Sequence, residues 1–486
     1  VRSVPAVVSY DACTGAVLGE VPETAPEAVA DLVAEVDAVQ PFWAALPLSD
    51  RSRYLRRIAQ VVLDEVDPLS ELLAREQGRP RTEAVTMEIL ASVDALRWIA
   101  AYAPRYLADQ RLRNNQLPLR GKRSQLVRDP VGVVGVATPW SSPWASGMRR
   151  VANALMAGNG VVLVPDPLVP LTAVRLVRAL ERAGVPEGLV RVAAGRADLA
   201  AALEQGGAGR VVRIGTDGRD PMLVLADAPL RHAVYGALWA AFADAGQSRV
   251  NVSRVYVRRE VADAFTEGLV GATGRLRLGD PRRWDIDIGP LTSAENLPLV
   301  RAAVDAAVVA GAEQLTGGPV ELADVPGPFY APAVLRGATP DMAVVREAVP
   351  GPVLSVVAVD SEDEAIALAN DVPSVGASVW TANRGRGERI TRELRAERAW
   401  INEHMPTALS PAGVAEFVDV RMRVWEPSRL RDLWWYPYDE SLARTVKAVT
   451  RYFYGRESER LRAVREGVVP AARLARRLAR DRVRRS

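Results

Sequence analysis

DPVGVVGVATPW, residues 129–140, is an apolar run rich in valine, broken by glycine and closed by Pro139-Trp140. A run of this length and composition reads as a strand covered on both faces, the kind that builds parallel sheets. A helical pattern from Ala145 to Ala157 follows, and Gly158-Asn159-Gly160 then turns the chain into VVLVP (161–165), a second buried strand. PLTAVRLVRALERAGVP (170–186) is the next helix. Strand, helix, strand, helix with short connections predicts a doubly wound α/β sheet.

The same logic extends in both directions. Upstream, PEAVADLVAEVDAVQPFWAAL (26–46) and SDRSRYLRRIAQVVLDEVDPLSELLAREQGRP (49–80) carry apolar residues at three- and four-residue spacing, the second behind Ser49/Asp50, and the helical pattern lasts to about Leu107. Downstream, VSRVYV (252–257), a helix from Arg259 to Ala272, GDP (279–281), GPL (289–291), a helix from Asn296 to Gly311 and the strand PVLSVVAV (352–359) resume the alternation. With 486 residues, 49% of them hydrophobic and 25% charged, the chain is long enough for two or three domains with substantial cores. No apolar run of about 18 residues and no basic-then-apolar leader pattern is present, so a cytoplasmic protein is expected. The single cysteine, Cys13, sits in DACTGAVLGEVP between two short expected strands and cannot form an internal disulfide. Two histidines, His232 and His404, with no Cys/His cluster argue against a metal site.

These landmarks resemble the aldehyde dehydrogenase superfamily from roughly Tyr10 to Pro411. EQGRP (76–80), PVGVVGVATPW, AGNGVVLVP, AGVPEGLV, GQSRVNVSR (246–254), GDP, GPL, PGPVLSV (350–356), IALAND (366–371), ASVWTAN (377–383) and WINEH (400–404) stand in that family's order. Any one is weak; in sequence they are decisive for the fold. The resemblance implies an α/β aldehyde dehydrogenase fold. A Rossmann-like nucleotide domain would comprise residues 1–122 and 134–243, a catalytic-type α/β domain 244–411, and a small β oligomerisation arm 123–133 and 412–430. RSQLVRD would be the arm's first strand.

The chemistry implied by the family is not carried over. Its catalytic cysteine falls on Arg249, whose guanidinium is always charged and has no lone pair to offer a carbonyl carbon. The oxyanion-binding asparagine of Pro-Trp-Asn is Ser141, a shorter donor. The cofactor-binding lysine of Leu-Lys-Pro is Val164, and the ribose-binding glutamate is Ala348. Gly215-Thr216 is all that stands for the Gly-Ser loop that opens a helix against the pyrophosphate. RVVRIGT (210–216) runs almost directly into DGRDPMLVLADAPL (217–230), without that helix or the strand bearing the general base. A helix N-terminus is a good anion site, so dinucleotide affinity should collapse without it. Ser248 is the substitute nucleophile to consider, but no histidine or carboxylate is identifiable beside it. His404 lies where the family lines its substrate entrance, and packing is its expected role. Arg249 is expected to pair with an acid such as Asp244, or else to bind an anionic metabolite.

Past Pro411 the family pattern degenerates, and WWYPYDESLAR (434–444) resembles the extended tail of actinobacterial succinic-semialdehyde dehydrogenases. Residues 431–486 are expected to form a basic helical extension. From Arg451 to Ser486 there are 12 arginines against four acids, which fits a solvated helix, or docking to an acidic protein or to anionic lipid at a membrane periphery or larger assembly. No nucleic-acid-binding motif is present. The resulting expectation is an aldehyde dehydrogenase-like pseudoenzyme without a cofactor, a structural or regulatory subunit acting as a homo-oligomer or beside an active paralogue. The alternatives are an active NAD- or NADP-dependent enzyme for a succinic semialdehyde-like substrate, using unconventional residues, and a sensor of acidic metabolites.

Overall fold

The computed structural model describes residues 5–114, 122–196, 198–214, 219–405, 409–427 and 438–483, the side chains of 411, 412 and 473–483 excepted. The chain divides into two units, Val1–Leu107 with Asp129–Asp419, and Ala108–Arg128 with Val420–Ser486.

The first unit begins with an antiparallel pair, β1 (Ala6–Tyr10) and β2 (Val17–Pro22), with buried Cys13 in its turn. Burial pushes the Cys13 thiol up to about 12, which leaves it inert. Helices Val29–Ala44, Leu48–Asp64, Val66–Gln77 and Ala91–Leu107 follow. β3 (Gln110–Leu112) and β4 (Arg123–Pro130) belong mainly to the second unit. A four-stranded parallel sheet then forms from β5 (Val133–Thr138), β6 (Gly160–Pro165), β7 (Val190–Val192) and β8 (Arg210–Arg213), in the order β7-β6-β5-β8. Its valine runs follow from burial on both faces. Val134, Val136, Val161 and Leu163 pack with the helices Leu48–Asp64, Ala91–Leu107 and Pro143–Ala157, whereas Val133, Val162 and Val164 pack against Val29, Val33, Val36, Leu199 and Leu203 on the other side.

The second sheet has seven strands. They are β9 (Asp220–Val224), β10 (Val252–Arg258), β11 (Glu313–Gln314), β14 (Ala333–Arg336), β15 (Val353–Val359), β16 (Gly376–Trp380) and β17 (Arg398–Ile401), with β12 (Gly318–Leu322) and β13 (Val325–Ala331) forming a separate hairpin. The order is β11-β14-β15-β10-β9-β16-β17, all parallel except the β11 edge. This moves one expected boundary. β9 and the Leu230–Phe242 helix lie with the second sheet, since β9 pairs with β10 and β16, so the division falls near residue 219 and not at 243.

In the second unit β18 (Val418–Trp425), β4 and β3 make a three-stranded sheet in that order. Residues 108–122, expected in the nucleotide domain, are grouped with this unit, while 129–133 go with the first. Helices Glu440–Tyr454 and Glu457–Val483 complete it, the former capped by the Asp439 carboxylate accepting from Leu442 N–H. Among the described residues no helix is long and apolar enough to cross a membrane.

Candidate functional site

The loop that carries Arg249 joins the Leu230–Phe242 helix to β10, and polar side chains fix it along its length. Asp244, Ala245 and Gly246 take left-handed backbone angles in succession, with φ of 57°, 49° and 71°. Such angles cost L-residues energy and persist only where neighbours hold them. Gln247 does so twice, its amide donating to the Asp244 carbonyl at 3.0 Å and its Oε1 accepting from Thr292 N–H at 3.0 Å. Asn251 donates to the Gly246 carbonyl at 2.8 Å, and the fully buried Arg254 donates to the carbonyls of Arg219 (2.6 Å) and Val372 (3.2 Å).

Beneath the loop lies a buried charge network. Arg79 donates to Asp244 at 2.7 Å and to the Ser141 carbonyl at 2.5 Å, and stands 3.5 Å from Glu88. Glu88 in turn accepts from the Trp144 and Ala145 N–H groups at 3.0 and 2.6 Å, filling the first turn of the Pro143–Ala157 helix with a carboxylate. Glu83 accepts from Asp244 N–H at 2.8 Å. Asp244 is therefore the partner of Arg79, which corrects the expected pairing with Arg249. Burial pushes Asp244 up to about 7 and Glu83 up to about 8, while the acids together hold Arg79 above its ordinary value against the burial that opposes its charge. Both carboxyls have folded pKa values above their unfolded ones near 4. The native state therefore binds extra protons between these limits, and stability should fall as pH rises through that window. Urea unfolding is expected to show a higher midpoint at pH 6 than at pH 8.5, with the dependence flattened in Glu83→Gln; equal midpoints in the parent protein would refute the assignment.

Arg249, Ser141 and Ser248 meet on one cavity of 950 Å³. The Ser141 hydroxyl is buried with no hydrogen-bond partner among the described residues. Ser248 Oγ accepts from Val250 N–H at 3.4 Å, and among the described residues neither an imidazole nor a carboxylate reaches it. His404 is fully buried, with Nε2 3.1 Å from the Val250 carbonyl and 3.6 Å from Asp220 Oδ2 and its ring 4.7 Å from that of Trp400, so it packs in the interior and is not among the residues that line the cavity. Sequence reading missed much of the lining. Arg149, with Ser142, Ala145 and Ser146, forms an i, i+3, i+4, i+7 stripe at the start of the Pro143–Ala157 helix. Asp94, Trp98, Ala101 and Tyr102 form another on the Ala91–Leu107 helix, and Arg398 enters from β17. The helical spacing was readable but not which face lines a cavity, and Arg398 carries no local signal.

Of the four positions at which the family resemblance implies a cofactor contact, Val164 and Ala348 lie among the described residues. Val164 is packed into the apolar cluster around Val29 and Val33 and offers no polar group to a ribose, and Ala348 is an exposed methyl. Gly215 and Thr216 lie outside the described residues. Between the end of β8 at Arg213 and the start of β9 at Asp220 there are six residues, too few for a helix and a further strand. No group of three or more His, Cys, Asp or Glu among the described residues is placed to hold a metal ion.

The two parallel sheets, the three-stranded sheet and the position of the cavity define the class. The chain belongs to the aldehyde dehydrogenase family, whose model matches residues 3–212 and 201–414. Its structure is similar to an NAD-dependent aldehyde dehydrogenase from Sinorhizobium meliloti, with 28% identity and a TM-score of 0.82 over 90% of this chain and 94% of that one. An aldehyde dehydrogenase from Brucella melitensis biovar abortus 2308 matches at 27% identity and TM-score 0.80 over 88% and 95% of the two chains. An NAD-dependent benzaldehyde dehydrogenase from Corynebacterium glutamicum matches at 26% and 0.79 over 87% and 95%.

Proposed function

We infer that this chain is a catalytically inactive member of its family, serving as a structural or regulatory subunit in a homo-oligomer or beside an active paralogue. The observation that carries the reading is a guanidinium on the cavity at the nucleophile position, with, among the described residues, no base at Ser248 and no partner for the hydroxyl at the oxyanion position. A thiolate, an oriented oxyanion donor, a bound nicotinamide and a water-activating carboxylate are all needed for aldehyde oxidation, and none is supplied by the residues that stand in those places. The sheet of β3, β4 and β18 is the surface for subunit pairing, and the basic helices after residue 438 are the further docking element. The WWYPYDESLAR resemblance supports an ancestry near succinic-semialdehyde dehydrogenases.

The test is formation of reduced cofactor by the purified protein at high concentration, with NAD or NADP and a panel including succinic semialdehyde and benzaldehyde. A trace equal to a heat-treated control is expected. Turnover above that control, or stoichiometric binding of NAD or NADP in solution, would overturn the reading and revive an active enzyme with unconventional residues.

A further inference from the structure

The cavity is lined by both cationic and apolar side chains. Arg149, Arg249 and Arg398 all line it, together with the hydroxyl-bearing Ser141, Ser142, Ser146 and Ser248. Leu90, Tyr102 and Trp239 line it too, and their large exposure puts them at its mouth. Trp98 lies against Tyr102 with ring centroids 5.1 Å apart and the planes tilted by 37°, so two aromatic rings share this part of the lining. Five arginines line the space: Arg79 is committed to Asp244 and the Ser141 carbonyl and Arg97 is exposed, while Arg149, Arg249 and Arg398 reach it from three separate elements, the Pro143–Ala157 helix, the Arg249 loop and β17.

Like charges gathered in a half-buried space repel each other, and acids nearby would relieve this. For Arg149 and Arg398 no acid among the described residues does so. Glu88 is committed to Arg79 and to two helix N–H groups, and Asp94 is exposed. Arg149 makes no ion pair or side-chain hydrogen bond with any described residue. Burial, then the nearness of Arg398 and Arg249, holds its guanidinium below the usual value. Arg150, next along the helix, is pushed down to about 10 by burial and by the same three arginines, although Glu416 pairs with it. Planar guanidiniums with adjacent hydroxyls are the donor set that suits a carboxylate, and aromatic walls suit an apolar body attached to it.

We propose that this cavity is a binding site for an organic carboxylate, its carboxylate held by Arg149, Arg249 and Arg398 and its apolar body lying against Trp98, Tyr102 and Trp239. The proposal rests on the reading of the cavity as non-catalytic, and it gives the regulatory subunit a ligand. Binding is measured without cofactor or turnover, so a failure here leaves the turnover result standing and the reverse.

The probes are 4-phenylbutyrate, its neutral counterpart 4-phenylbutanol, and inorganic phosphate, titrated by calorimetry into the full chain. Saturable, salt-weakened binding of 4-phenylbutyrate is expected, with the alcohol and phosphate each at least about tenfold weaker, the size of one lost charge-assisted contact. Arg149→Met and Arg398→Met should each weaken 4-phenylbutyrate about tenfold or more. In Arg149→Met the melting temperature should hold or rise, since the change removes a repelled charge that has no ion partner to lose. Absence of saturable 4-phenylbutyrate binding, equal affinity for the alcohol, equal affinity for phosphate, or unchanged affinity in both variants that remain folded would overturn the proposal.

Discussion

Arg79→Met should destabilise the protein by about 3–5 kcal/mol, the usual cost of removing one partner from a buried ion pair. The cation is wholly enclosed, and three acids depend on it. Asp244 accepts from it directly, Glu88 lies 3.5 Å away, and Glu83 is tied to the same place through the Asp244 N–H. With the guanidinium gone, the carboxylates must be buried uncompensated or take up protons, so the loss should be greater at pH 8.5 than at pH 6. The Ser141 carbonyl also loses its donor, at the point where the chain enters the Pro143–Ala157 helix. Arg79→Lys should recover only part of this, because an ammonium lacks the planar fork that serves Asp244 and Ser141 together. Urea unfolding of the three proteins at both pH values measures it. A loss below about 1 kcal/mol in Arg79→Met, the range of exposed pairs, would mean that the network carries no weight in folding.

The network explains why the fold was legible in the sequence while much of the site was not. Gln247, Asn251 and Arg254 each hold backbone groups in place, so those letters report architecture whatever the chemistry of the cavity. The buried strands were equally plain, because residues that must face apolar neighbours on both sides leave a continuous valine run, as β5 and β6 do. Arginine at positions 149 and 398 says nothing of this kind. A charged residue on a helix or at a strand start is ordinarily solvated, and only the fold brings these two to the same cavity as Arg249. The boundary near residue 219 was hidden for a related reason. β9 is as apolar as the strands before it, and which sheet it joins is set by its pairing with β10 and β16, contacts far apart in the chain.

Gly246→Ala should cost about 2–5 kcal/mol, from two sources that a second substitution can separate. Its φ of 71° lies in the left-handed region, where an L-residue loses about 1–2 kcal/mol. A Cβ there would also stand 2.4 Å from the Gly351 carbonyl oxygen, 2.6 Å from the Gly351 carbonyl carbon and 2.6 Å from Pro352 Cα. All three are backbone atoms at the entry to β15, which cannot swing aside as a side chain would, and overpacking of this kind adds about 1–3 kcal/mol. Gly15 has nearly the same φ, 69°, but nothing within 4 Å of its would-be Cβ, so Gly15→Ala should show the backbone cost alone. Denaturant unfolding of both variants tests the argument, and equal losses would remove the contact with Gly351-Pro352 from it. The result bears on how the Arg249 loop is read. If the contact accounts for the difference, Gly246 is needed because the loop must press against β15, a demand that holds whatever residue stands three places on. A Gly-Gln pair in this setting then reports the packing of two strands, and evidence for or against catalysis has to come from the side chains on the cavity itself.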